Sequence, residues 1–219
     1  MKIAILGSTG FVGRVLLEKA LENGYQIKTL VRNPEKLGIY KDKVEFIQGD
    51  ITQLEKIKQC FVGVEAVLST IPPERNTKEP EKYAGIMKDL ITILEANGIK
   101  RFIHIGGAAH DGGENENWTF GRKMLRFFLN IVWKQGLIAK QLEWEVLRNS
   151  NLDWTLVRPP RIRQGKSKGK TVADEKNLIK TEIYVEDLAN FMLLQINSKD
   201  WVRKAPLVAS IMHTSAASL

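Results

Sequence analysis

Gly7-Ser8-Thr9-Gly10-Phe11-Val12-Gly13 is the stretch whose residue types and spacing best suit a chemical task. A glycine turn that opens a helix aims unpaired backbone N–H groups and the positive end of the helix dipole at one spot, which favours a phosphate or pyrophosphate. Gly7 suits a sharp turn out of a strand, Gly10 the close approach of a pyrophosphate, and Gly13 the close packing of helix on sheet. The G-x-x-G-x-x-G spacing is a variant of the dinucleotide-binding fingerprint. A turn that only connects two elements can use the same residues, so the neighbouring segments have to decide.

Those segments supply further candidates. Arg32 follows a second β-rich run, at the place where NAD-specific sites carry a carboxylate for the ribose 2′-OH. An arginine there suits a 2′-phosphate through its charged donor fork and implies NADP(H), unless it is an unoccupied surface arginine. In Gly49-Asp50-Ile51, Asp50 either accepts from an adenine amino group or caps the helix that begins near Thr52. Ser69-Thr70-Ile71-Pro72-Pro73 leads into a loop with Glu74, Arg75 and Asn76, expected to pass under the ribose and nicotinamide. His110 is the best-placed neutral-pH proton donor, or a loop histidine with no role. His104 reads as a core residue and His213 as part of a polar tail. Three scattered histidines and Cys60 give no metal-ligand spacing, so no metal is expected.

The elements that must position these residues alternate in type. Apolar β-rich runs at 3–6, 26–31, 44–48, 66–69, 101–105, 153–158 and 206–209 are separated by helical periods at 11–22, 53–61, 81–96, 120–148 and 185–196. Asn23-Gly24 and Asn97-Gly98 read as helix stops. Such a pattern predicts an α/β fold, a Rossmann-like doubly wound parallel sheet with helices on both faces and right-handed crossovers. Ligands of such sheets bind at the carboxyl ends of the strands. A single domain over 1–210 is expected, its substrate cleft drawn from about 155–210, with 211–219 as a tail.

The chain has 219 residues and a net charge of +8. No apolar run approaches the roughly 18 residues of a membrane span, and Met1-Lys2 leads directly into a strand, so a soluble cytoplasmic protein is expected. Cys60, the only cysteine, reads as a small packing residue of a reducing compartment. Much of the positive excess falls between Arg158 and Lys180, where eight basic residues face only Asp174 and Glu175. Aromatics and a groove-binding helix are missing there, so nucleic acid is not the expected partner. The segment reads as a solvated loop or as a phosphate-attracting loop beside a cleft. Residues 118–144 hold six aromatics among five basic residues. They read as an interior helix, a homodimer or protein-partner surface, or, least favoured, a membrane-surface helix.

Assembled in order, these motifs resemble the atypical short-chain dehydrogenase/reductase superfamily, in the NAD(P)H-binding group that includes NmrA-like proteins and the flavin reductase form of biliverdin reductase. The resemblance is carried by the glycine turn, Leu30-Val31-Arg32-Asn33, Gly49-Asp50-Ile51, the Asn97–Ile103 and Leu147–Pro159 segments, and Ile183-Tyr184-Val185-Glu186-Asp187-Leu188-Ala189. It implies NADP(H) across the first two βα turns, Arg158-Pro159-Pro160 beside the nicotinamide, and the basic stretch as a mobile lid. The family usually carries a serine after the fifth strand and a tyrosine four residues before a lysine. Here that strand ends His104-Ile105-Gly106-Gly107-Ala108-Ala109-His110, Lys140 takes the lysine's place, and the tyrosine's position is Gly136. Lys140 is then either a contact of the cofactor ribose or an exposed residue of an amphipathic helix. Without the tyrosine, the resemblance implies hydride transfer to an acceptor that needs little protonation, such as a flavin or quinone, or else a non-catalytic NADP(H) sensor.

Overall fold

The first strand carries an apolar run, Ile3, Ala4, Ile5 and Leu6, that is fully buried, as a sheet covered on both faces requires. The computed structural model describes residues 1–72, 78–109, 112, 116–167 and 169–212, the side chain of Met212 excepted. Strands β1 (Lys2–Leu6), β2 (Gln26–Val31), β3 (Glu45–Gln48), β4 (Ala66–Ser69), β5 (Arg101–Ile105) and β6 (Asp153–Val157) form one parallel sheet in the order β3-β2-β1-β4-β5-β6. The order reverses between β1 and β4, which opens a crevice at their carboxyl ends.

Successive side chains of a strand point to opposite faces, and the core divides accordingly. Ala4, Leu6, Val67, Phe102, Trp154 and Leu156 lie under α2 (Leu54–Phe61), α3 (Pro80–Ala96) and part of the 120–148 helical region. Ile3, Ile5, Leu68, Ile103 and Val157 face the glycine-turn helix α1 (Phe11–Glu22) and the Val185–Leu194 helix. Cys60 is buried among the first set, and burial pushes its thiol up to about 12, in keeping with a packing role. Among the described residues no helix is long and apolar enough to cross a membrane.

Two expectations are corrected. The helical run 120–148 is not one helix but two, α4 (Phe120–Val132) and α5 (Lys134–Arg148), broken at Trp133 with φ −147° and ψ 38°. Helical periodicity continues on both sides of the break, so the pattern alone hides it; the β-branched Ile131-Val132 pair and Gly136 weaken the helix around it. Only α5 packs as an interior helix, against α3. After α5 and β6 come β7 (Arg161–Arg163), β8 (Gly169–Asp174), β9 (Glu182–Tyr184), α6 (Val185–Leu194) and β10 (Leu207–Met212). β7 pairs with β9 and β8 with β10, so the basic segment is not one loop but carries two short strands, with Arg161, Arg163, Lys166, Lys170, Lys176 and Lys180 exposed to solvent. Part of its charge is matched by Glu182, which lies just outside the 158–180 window and pairs with Arg163 across the strands.

Arg158 departs furthest from the expectation. It is fully buried and bonds Glu116 at 2.5 Å, while its Nε donates to the Ala205 carbonyl at 2.8 Å. Arg122 of α4 bonds the other oxygen of the same carboxylate at 2.8 Å and donates to the Ala108 carbonyl. One carboxylate therefore ties the segment before α4 to the end of β6. Replacing Glu116 by glutamine keeps the shape but removes the buried negative charge that Arg122 and Arg158 share. Glu116→Gln is expected to lower stability by about 3–5 kcal/mol in urea titrations.

Candidate cofactor-binding site

The glycine turn has the geometry its sequence requires. Gly7 adopts φ +84°, and the Gly10 N–H donates to the Gly7 carbonyl at 2.9 Å. A Cβ on Gly13 would lie 2.0 Å from the Gly7 oxygen and 2.8 Å from the Thr70 hydroxyl. Gly13 thus lets the first turn of α1 rest on the turn itself and on the end of β4. The Thr70 hydroxyl lies within hydrogen-bond distance of the Leu6 and Gly7 carbonyls, locking β4 to the same point. A Cβ on Gly10 would meet only the Gly7 oxygen, at 3.2 Å, so the space above the turn is open.

The same turn is prepared for an anion. The N-cap residue Gly10 supplies no side-chain cap and the first turn of α1 contains no acidic residue, so its leading N–H groups and the dipole remain available. A dinucleotide's pyrophosphate fits this cradle. Ser8 contributes backbone only, because its hydroxyl is turned inward, 2.7 Å from that of Thr29. Thr9 and Val12 are partly exposed and Phe11 is exposed at the rim.

The remaining expected contacts converge on the carboxyl ends of the neighbouring strands. Arg32, after β2, has a side chain 83 % exposed, with its Nε 3.9 Å from the Asp50 carboxylate after β3. Asp50 also accepts from the Thr52 N–H and hydroxyl, both at 3.0 Å, in the turn ahead of α2; it does not cap that helix, whose N-cap is Gln53. Ile51 and Ile71 pack against the core beneath, and Ser69 is buried at the end of β4. The Gly106 N–H donates to the Val157 carbonyl and the Ala108 N–H to the Pro159 carbonyl, stitching the segment after β5 to the one after β6. Pro159 is buried. Pro73, Glu74, Arg75, Asn76, His110 and His213 lie outside the described residues.

Lys140 is not the exposed residue of one expectation. It is buried on α5, and its ammonium lies 3.0 Å from both oxygens of Glu143, 3.2 Å from the Ile105 carbonyl and 3.5 Å from His104 Nε2. Those contacts occupy its three donors, so in this arrangement none is left for a ribose. His104 Nε2 is 2.8 Å from Glu143 Oε1, and the Tyr83 hydroxyl of α3 donates to the Ile71 carbonyl at 3.0 Å beside the same carboxylate. His104 is a structural residue, as expected, but a polar one. This network holds the ends of β4 and β5 to α3 and α5. Sequence reasoning missed Tyr83 and Glu143; the only signal was the Lys140–Glu143 spacing of three on one helix face.

Desolvation pushes the Glu143 carboxyl up, but the His104 and Lys140 charges together with hydrogen bonds outweigh it and hold it at about 2. Burial lowers the His104 imidazole against the pull of Glu143, and burial also raises the Tyr83 phenol. The tyrosine position of the short-chain dehydrogenases is occupied in a different way. A Cβ on Gly136 would lie 1.9 Å from Cε2 of the Trp133 indole, so the ring fills the place where a side chain would start.

An open sheet in this strand order, with a glycine cradle at its switch point, defines a Rossmann-like dinucleotide-binding protein. The profile of a family described as NAD(P)H-binding matches residues 7–199, and the chain belongs to that family. Among similar proteins, the photosystem II assembly factor Ycf39 of Trieres chinensis is 35% identical over 172 residues, which are 75% of this chain and 47% of that protein. The chain spans about half the length, or less, of the first such relatives. Anthocyanidin reductase of Arabidopsis thaliana is 24% identical, over 74% of this chain and 55% of that one. Among solved structures, the anaerobilin reductase ChuY of Escherichia coli O157:H7 superposes with a TM-score of 0.79 at 17% identity, covering 96% and 97% of the two chains. A short-chain dehydrogenase/reductase from Veillonella parvula in complex with NADP gives 0.78 at 16% identity, covering 95% and 94%.

The network makes stability pH-dependent with a defined sign. A carboxyl near 4.5 when unfolded and about 2 when folded contributes fully above pH 4.5, on the order of 3 kcal/mol, and loses that contribution as pH falls towards 2. The lowered imidazole acts on a higher window, because the unfolded histidine gains a proton below about 6.5 while the folded one resists it. Urea midpoints measured from pH 7 down to 3 should fall for the wild type. Glu143→Gln should start lower and fall less steeply below pH 4.5; identical slopes would contradict the assignment.

Proposed function

We propose that the chain is an NADP(H)-dependent reductase that passes hydride to a flat, conjugated acceptor of the flavin or quinone class. The observation that carries this reading is the Trp133 indole over Gly136, which leaves no room for the phenol that normally gives or takes the substrate proton. When bound, NADPH supplies the hydride. The residues of the chain hold and orient. The first N–H groups of α1 and the Gly7–Gly13 turn bind the pyrophosphate, and the exposed Arg32 guanidinium binds the 2′-phosphate. Lys140 and Tyr83 fix the Ile105 and Ile71 carbonyls beside the cleft, through hydrogen bonds of 3.2 and 3.0 Å. They act as positioning residues. A flavin or quinone can take its proton from water, so aligning two rings accounts for most of what the site has to do.

A second reading is a non-catalytic NADP(H)-binding protein that acts through a partner. The missing phenol supports it equally, and so do the relatives named as photosystem II assembly factors.

Titration with NADPH and NADH should show a preference for NADPH that drops by about tenfold or more, roughly 1.4 kcal/mol, in Arg32→Ala. Equal affinities in both proteins would remove the 2′-phosphate assignment. Consumption of NADPH is expected when flavins or quinones are added, and should be unaffected in Lys123→Ala on the outer face of α4. Tight NADPH binding without turnover across both acceptor classes would favour the second reading.

A further inference from the structure

α4 is built inside out. Its one buried residue is Arg122, whose guanidinium bonds Glu116 and the Ala108 carbonyl and lies 4.0 Å from the centre of the Trp118 ring. Arg126, one turn on, stacks on the same ring at 5.1 Å. The charged side therefore faces the protein. At 3.6 residues per turn, Phe120, Met124, Phe127, Phe128, Ile131 and Val132 fall within an arc of about 140° on the opposite side. They are between 37% and 78% exposed. Apolar side chains grouped in this way mark a surface that something covers.

Charge narrows what that something is. Residues 117–142 contain no aspartate or glutamate, and Lys123 and Lys134 stand exposed on α4 and at the start of α5. Two copies of this chain meeting through α4 would bring both sets of lysines together, with no carboxylate in that stretch to pair them. An anionic lipid surface satisfies both features: the apolar arc enters the boundary between headgroups and acyl chains, and the lysines meet phosphates. A 13-residue helix is about 20 Å long, short of the roughly 30 Å hydrocarbon layer, so it would lie in the plane rather than cross. We propose that α4 docks this protein on anionic bilayer surfaces through Phe120, Phe127, Phe128, Ile131 and Val132, flanked by Lys123 and Lys134.

The test is flotation of the full chain with vesicles of phosphatidylcholine alone and of phosphatidylcholine mixed with phosphatidylglycerol. Binding to the mixed vesicles only is expected, weakening as salt is raised. Phe127→Ser/Phe128→Ser should weaken it by about tenfold or more, and Lys123→Glu by about fivefold. Circular dichroism and NADPH titration should report an unchanged fold in both variants. A Phe128→Cys variant carrying an environment-sensitive fluorophore should shift to the blue on mixed vesicles; the buried Cys60 will not compete for the label. Absence of flotation overturns the proposal, as does equal binding to neutral vesicles or unaltered binding by Phe127→Ser/Phe128→Ser. A concentration-dependent dimer in sedimentation velocity that this double variant abolishes, without flotation, would assign the face to a second copy instead.

Discussion

The approach of Gly13 to the Gly7 carbonyl sets the position of everything else at the site. Any side chain at 13 would overlap that oxygen, 2.0 Å from where its Cβ would be, so α1 can start where it does only on glycine. The same carbonyl accepts the Gly10 N–H and lies within hydrogen-bond distance of the Thr70 hydroxyl. Strand β1, helix α1 and the end of β4 therefore meet at one oxygen atom. That junction is the switch point of the sheet, and it fixes the direction in which the dipole of α1 points.

Two buried carboxylates show a common solution to a common difficulty. Glu116 is neutralised by Arg122 and Arg158, while Glu143 is paired with Lys140 and hydrogen-bonded to His104, so that each carboxylate has two partners on different segments. Burying a lone carboxylate would cost far more than folding can supply, and a single partner would leave lone pairs unmet. Held by two partners, each carboxylate instead joins parts of the chain that apolar packing does not specify. One clamp holds the approach to α4 against the end of β6, and the other holds α3 and α5 against β4 and β5. Ion pairs of this type add little net stability compared with an apolar core but restrict which segments can be neighbours.

The sheet was almost entirely legible from sequence, since its inner strands are largely buried on both faces and carry apolar runs such as Ile3–Leu6. The cradle was legible for the same kind of reason: Gly7, Gly10 and Gly13 are local in the chain, and so is the geometry they permit. What was not legible depends on partners far apart in sequence. Arg158 looks like one of eight solvated basic residues until Glu116 is placed beside it, and Lys140 looks exposed until His104 and Glu143 close around it. The three-residue strands β7 and β9 carry too few positions to display alternation. The break at Trp133 leaves helical periods intact on either side, so periodicity could not reveal it.

Trp133 and Gly136 also constrain how this chain can change. The indole occupies the volume in which a side chain at 136 would begin, and the glycine leaves room for the indole. A larger residue at 136 is therefore tolerated only after the tryptophan has moved or been replaced, while replacing the tryptophan alone opens a void beside α5. The two positions are coupled, and their effects should not add. A phenol at 136 is thus separated from this chain by a pair of dependent substitutions, each unfavourable without the other.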